Sequence, residues 1–127
     1  MNHYLTATIL SVTLTTAAVA TRGHDRVPVA TETGPAKSCI PLRSIRETRV
    51  RDDRTIDFVT SGRKAFRNVL PDACPGLGFE QRFAYATSLG QLCSTDIITV
   101  LYQTGGARGA SCGLGKFQPV TLAKPRR

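Results

Sequence analysis

Apolar residues fall in short runs between dense turn signals, and that spacing predicts strands rather than helices. Residues 39–50 form the first candidate, with Ile40 and Leu42 in phase; Ile45 breaks the parity and predicts a bulge near Ser44. Asp52-Asp53 marks a turn. In residues 55–60, Ile56 and Phe58 face one way and Asp57 the other, toward solvent. Ser61-Gly62 reads as a tight hairpin, and residues 63–70 follow with Phe66 and Leu70 in phase. Pro71 and Asp72 stop that strand, and Cys74-Pro75-Gly76 fits a type II turn. Residues 79–87 can be read either way, but Phe79, Phe83 and Tyr85 together favour a strand. Residues 96–102 (DIITVLY) are apolar on both faces and predict a central strand. A glycine-rich loop at 105–109 and a short last strand over 116–121 complete the pattern.

The expected fold is all-β: a small antiparallel meander over residues 39–121 that closes, or nearly closes, into a five- to six-stranded barrel. Residues 21–38 hold two Pro, two Gly and mixed charges without an apolar period, which predicts a flexible linker. Residues 122–127 (LAKPRR) form a basic tail.

The first twenty residues change the picture. They contain no Asp, Glu, Lys or Arg, and the apolar run from Tyr4 ends in the small-x-small site Ala18-Val19-Ala20. A cleaved signal peptide over 1–20 is expected. The alternative, a membrane anchor, needs a longer and less hydroxylic stretch than these roughly 17 residues. Export places the chain in the periplasm or outside the cell, with no membrane span left after cleavage.

In an exported chain, Cys39, Cys74, Cys93 and Cys112 read as two disulfides. The competing zinc reading lacks support from spacing. The gaps hold 34, 18 and 18 residues, no C-x-x-C occurs, and His24 is the only histidine beyond residue 20. If the strands alternate up and down, Cys39 and Cys93 share one end of the fold, and Cys74 and Cys112 share the other. The expected pairs are therefore Cys39–Cys93 and Cys74–Cys112.

The segments CIPLRSIRETRVRDDRTIDF, RNVLPDACPGL, FAYATSLGQLCSTDIITVL and ASCGLGKF carry C-P-G-L, L-C-x-x-D and C-G-L-G in one order. In this the chain resembles a family of small exported bacterial proteins catalogued as a domain of unknown function. The likeness spans Cys39 to about Val120 and includes all four cysteines. It implies a secreted or periplasmic proteobacterial protein, and it brings no activity and no catalytic residues.

Candidate chemistry narrows quickly. Nucleophilic catalysis needs an imidazole beside the nucleophile, and the fold offers none if His24 lies in a linker and the thiols are paired. Paired carboxylates would have to come from Glu47, Asp52, Asp53, Asp57, Asp72, Glu80 and Asp96, several of which read as turn formers. Asp96 is placed to cap the Ser94-Thr95 turn; an envelope enzyme working through Asp57 or Asp96 is the least favoured reading. The run ending in Gly115-Lys116 fails the phosphate-loop pattern at Ala110 and Phe117. No cofactor or metal is implied.

Charge gives the remaining clue. The chain of 127 residues carries 17 Lys+Arg against 9 Asp+Glu, a net +8. A length of 127 residues supports one domain, and 41% hydrophobic residues exclude wholesale disorder. Residues 39–70 hold eight cations and four anions, residues 71–121 three of each, and the tail three cations. Arg43, Arg46, Arg49, Arg63 and Arg67 are the candidate anion-binding residues, because guanidinium forks engage phosphates and carboxylates bidentately. Phe58, Phe66, Phe83 or Tyr85 could add stacking platforms. The leading expectation is a non-catalytic envelope domain that binds a partner, either an envelope protein or an anionic envelope component. The narrower alternative is an Arg-rich sheet face holding phosphate- or carboxylate-bearing ligands. The bland reading is a solvated mixed-charge face. Export argues against nucleic acid as the target.

Overall fold

The computed structural model describes residues 27–87 and 89–125. The expected signal peptide, the first part of the expected linker and the last two tail residues lie outside them. Among the described residues the strands are β1 (Ala30–Glu32), β2 (Cys39–Pro41), β3 (Glu47–Val50), β4 (Thr55–Ser61), β5 (Lys64–Val69), β6 (Phe83–Tyr85), β7 (Gln91–Cys93), β8 (Ile97–Leu101), β9 (Arg108–Gly113) and β10 (Phe117–Leu122). A single helical turn, α1, covers Leu77–Glu80.

The fold is all-β, as the pattern predicts, but it is not a barrel. Its strands form three separate antiparallel sheets: five strands in the order β1-β10-β5-β4-β3, three in the order β6-β8-β9, and the pair β2-β7. Two corners prevent closure. A 3-10 turn at Leu42–Ser44, closed by Ile45 N–H donating to Leu42 O (3.0 Å), splits residues 39–50 between two sheets. The parity break at Ile45 therefore marks a change of sheet rather than a bulge in one strand. The second corner follows β5. There Gly76 takes φ 83° and ψ −9°, the type II geometry that an L side chain resists, and Leu77 N–H donates to Cys74 O (3.1 Å). This corner carries the chain into α1, and so Phe79 lies on a helical turn instead of starting a strand.

Two more segments depart from expectation. Residues 30–37, expected within the linker, run along β10: Ala30 pairs with Leu122, Glu32 with Val120, and Lys37 bridges Phe117. Residues 108–113 form an edge strand where a glycine loop was expected to end. The expected central strand 96–102 does lie mid-sheet, as β8, but its faces differ: Ile98 and Val100 are buried while Ile97 is exposed.

One face of the five-stranded sheet packs against the smaller sheets. Ile56 and Phe58 of β4 and Phe117 of β10 meet Ile98 and Val100 of β8, with Ile40, Leu92, Leu70, Leu77 and Leu114 closing the core. The Phe58 ring stands edge-on to Phe83 and Phe117, at 6.4 and 5.6 Å between centroids. Phe58 is thus the centre of the core, not the stacking platform its sequence position allows. Phe66 and Phe83 pack against the same core, which leaves Tyr85 as the most open ring of the four.

The disulfides are Cys39–Cys93 and Cys74–Cys112, and no free cysteine remains. Alternation of a meander gives the same pairs, but the structure makes them differently. Cys39 and Cys93 are direct cross-strand partners in β2-β7, flanked by the Ser94 N–H donating to Ser38 O (2.7 Å). Such a non-hydrogen-bonded site brings Cα atoms closest, here to 4.0 Å. Cys74–Cys112 ties the corner after β5 to β9 and so joins the two larger sheets. Two disulfides mark a chain that folds in an oxidising compartment. No helix among the described residues is long and apolar enough to cross a membrane.

Candidate functional site

Arg49, Lys64 and Arg67 lie on the strands of the five-stranded sheet, and with the basic residues that flank those strands they fall into two groups. The alternation that buries Ile56 and Phe58 sends Asp57 and Val59 to the opposite, outer face. Asp57 lies between Arg49 on β3 and Arg67 on β5, and Gln118 on β10 continues that row.

Asp57, expected to face solvent, is fully buried. Its own neighbours cover it. Arg51 Nε donates to Oδ2 at 2.8 Å, while Arg67 donates from Nε to Oδ1 at 2.8 Å and from Nη2 to Oδ2 at 3.0 Å. Arg49 turns away and forks onto Glu47, Nε to Oε1 at 2.7 Å and Nη2 to Oε2 at 2.8 Å. The fork holds the Glu47 carboxyl below its ordinary value, and the same hydrogen bond raises Arg49. On the outer face, then, Arg49, Arg51 and Arg67 are engaged by acids. Arg51 was counted in the basic surplus without being singled out. Its role depends on the turn at Asp52-Asp53, which brings it back over β4.

The second group gathers at the end of the sheet where β4 turns into β5. Arg63 lies in the hairpin itself, and Lys64 opens β5 opposite Ser61. Arg46 reaches the same end, its N–H donating to Val59 O (2.8 Å). β10 arrives there too, with Leu122 N–H donating to Arg63 O (2.8 Å), so Lys124 follows two residues later. Arg46, Arg63, Lys64 and Lys124 are all exposed, and none forms an ion pair among the described residues. Arg63 additionally donates from Nη1 to Leu122 O (3.3 Å), which holds one edge of its guanidinium against β10. Arg43, on the 3-10 turn three residues before Arg46, is likewise exposed and forms no ion pair among the described residues.

Of the five arginines read from the sequence, the structure therefore brings Arg46 and Arg63 to one end, with Arg43 on the turn leading to it. Arg49 and Arg67 lie on the outer face. Lys64 and Lys124 complete the hairpin end. Lys64 follows from the Ser61-Gly62 hairpin, whereas no local signal places Lys124, which arrives through β10 pairing with β5 across more than fifty residues of chain.

The carboxylates have structural work. Asp52 accepts from Arg54 N–H, Asp53 from Gly78 N–H, Asp96 from Cys93 N–H and Glu80 from Gln103 N–H, at 2.7–2.9 Å. Asp96 thus caps the turn entering β8. The described residues contain no group of three or more metal-ligating side chains. Among known proteins, no family model, no curated sequence and no solved structure matches this chain.

Proposed function

We propose that this protein is an exported, disulfide-tied β domain of the cell envelope that works by binding, not catalysis, and that it holds an anionic envelope component at the hairpin end of its large sheet. The observation that carries the reading is Arg46, Arg63, Lys64 and Lys124 gathered at one end, all exposed and without an acidic partner among the described residues. Four cations at one end of the sheet, with no ion pair among the described residues, raise the local concentration of a phosphate- or carboxylate-bearing ligand and speed its encounter. The sequence adds Arg126 and Arg127 directly beyond Pro125.

Further support comes from three sides. The apolar run ending at Ala18-Val19-Ala20 reads as an export signal. The disulfides fit an oxidising compartment, of which the periplasm or the cell exterior is the one a signal peptide serves. Engagement of six carboxylates in ion pairs, turns and caps leaves them poorly placed for acid–base work, which favours binding over a carboxylate enzyme.

Titration with inorganic polyphosphate at several salt concentrations tests the reading. Wild-type protein is expected to bind with an affinity that falls steeply with salt. R63Q/K64Q is expected to lose about fivefold or more in affinity and much of the salt dependence, whereas R82Q, away from this end, is expected to change little. Equal binding by all three would sink it.

A further inference from the structure

The outer face of the five-stranded sheet holds a second feature, which runs from Lys116 toward the hairpin end. An open trough of about 390 Å3 runs along β10, with β5 as one wall and residues 30–36 as the other. Ala30, Ala36 and Val69 give it an apolar lining, over a floor where Val120 is itself buried. Val69 is half exposed there. At the same end as Val69 lie two cations. Lys116 sits beside Val69 across the β5-β10 ladder and forms no ion pair among the described residues. Arg67 is different in kind. Asp57 fixes its guanidinium through Nε and Nη2, and Nη1 makes no hydrogen bond among the described residues. Glu32, opposite Val120, stands farther along the opposite wall.

We propose that this trough binds a small, single-headed amphiphilic anion: an alkyl chain capped by a carboxylate or a phosphate monoester. The charged cap sits at Lys116 and Arg67, and the chain lies over Val69, Val120 and Ala30. Arg67 is held in place before the ligand arrives, so little side-chain entropy is lost in engaging it. Glu32 sets the polarity. It repels a second negative group farther along the trough, and so selects a single-headed amphiphile over a polyanion. The binding of polyanions at the hairpin end does not enter this inference.

Full-length protein titrated with acetate, butyrate, hexanoate, octanoate and hexyl phosphate tests it, with affinity read by calorimetry and location by backbone amide shifts. Affinity is expected to rise about two- to threefold per methylene that reaches the apolar lining, with shifts centred on Ala30, Val69 and Val120. K116Q is expected to weaken hexanoate and hexyl phosphate about fivefold, V69D to abolish chain-length dependence, and E32Q to strengthen both ligands about threefold. R63Q/K64Q is expected to leave them unchanged. Chain-length independence, or K116Q and E32Q both indistinguishable from wild type, would overturn the proposal while leaving the hairpin-end reading intact. Loss of these ligands in R63Q/K64Q, with shifts at Arg63 rather than Val69, would overturn it in favour of a single cationic site. Stronger binding of hexyl phosphate than of hexanoate would identify the phosphate monoester as the preferred cap; the reverse order would identify the carboxylate.

Discussion

The side-chain amide of Asn68 pairs with the backbone of Gly115 on both of its edges: Nδ2 donates to Gly115 O at 2.7 Å, and Gly115 N–H donates to Oδ1 at 2.8 Å. Asn68 is fully buried on the core face of β5, and its amide stands in for the strand backbone that is missing before β10 begins. Gly115 is required on the other side, because a Cβ there would drive into the Val69 carbonyl oxygen. The pairing delivers the chain to Lys116 beside Val69. N68A removes both bonds and leaves polar backbone groups without partners. It is expected to cost about 2–4 kcal/mol, measured by urea denaturation, and N68D to cost at least as much, because it buries an unpaired carboxylate against the Gly115 carbonyl oxygen.

Asp57 poses a sharper dependence. A carboxylate with no exposure is stabilised only by the guanidiniums of Arg51 and Arg67 that fold over it. Replacing it with Asn keeps the shape but leaves two mostly buried cations unneutralised. D57N is expected to destabilise the fold by about 3–5 kcal/mol, whereas E47Q, which breaks the exposed Glu47–Arg49 pair, is expected to leave stability nearly unchanged. Equal effects in urea titrations would mean that Asp57 is solvated in solution.

How much of this could be read from the sequence depends on where each signal is local. β4, β5 and β10 were legible because Ile56, Phe58, Phe66 and Phe117 alternate with polar residues and turns bound them. β9 was not, since RGASCG is small and polar and is held by pairing with β8 rather than by its own apolar face. β1 was hidden for a related reason: Ala30–Glu32 is an edge strand whose apolar contact depends on β10, ninety residues away. The split between β2 and β3 looked like a bulge, because a parity break records a change of direction but not its cause. The basic surplus of residues 39–70 was likewise visible as a sum, but only the register says which arginines meet acids. Asp57 shows the limit most clearly: alternation placed it off the core face correctly, and it is buried by side chains whose reach alternation does not describe.

Titration supplies an independent check on the Glu47–Arg49 fork. Hydrogen bonding from Arg49 lowers the Glu47 pKa from its ordinary value of 4.5, with Coulombic help from Arg49 and Arg51 and opposition from desolvation. A carboxyl depressed in the folded state contributes stability above its unfolded value and loses that contribution as pH falls through the folded value. The window for Glu47 therefore lies below pH 4.5. In a carboxyl-carbon NMR titration, the Glu47 midpoint is expected below 4.5 in the wild type and close to 4.5 in R49Q. An unmoved midpoint in R49Q would show that the fork does not persist in solution.

The two disulfides should separate under mild reduction, and burial decides the order. Their sequence separations, 54 and 38, give similar loop-closure contributions, about 4 kcal/mol each in the chain-entropy model. Access differs. Cys39 and Cys93 are half-buried on a short two-stranded ladder, while Cys74 is fully buried in the core beside Leu70 and Leu77. Exchange requires a thiolate to reach a sulfur, so Cys39–Cys93 is expected to open first when dithiothreitol is added to the native protein. Alkylation and peptide mass mapping over time would show Cys39 and Cys93 labelled before Cys74 and Cys112. The double substitution C74A/C112A is expected to cost more stability than C39A/C93A, because it also leaves a void where Cys74 packs. Labelling in the opposite order would mean that the three-stranded sheet detaches from the five-stranded one more readily than the β2-β7 ladder opens, and that Cys74–Cys112 is the clasp holding a loosely packed interface.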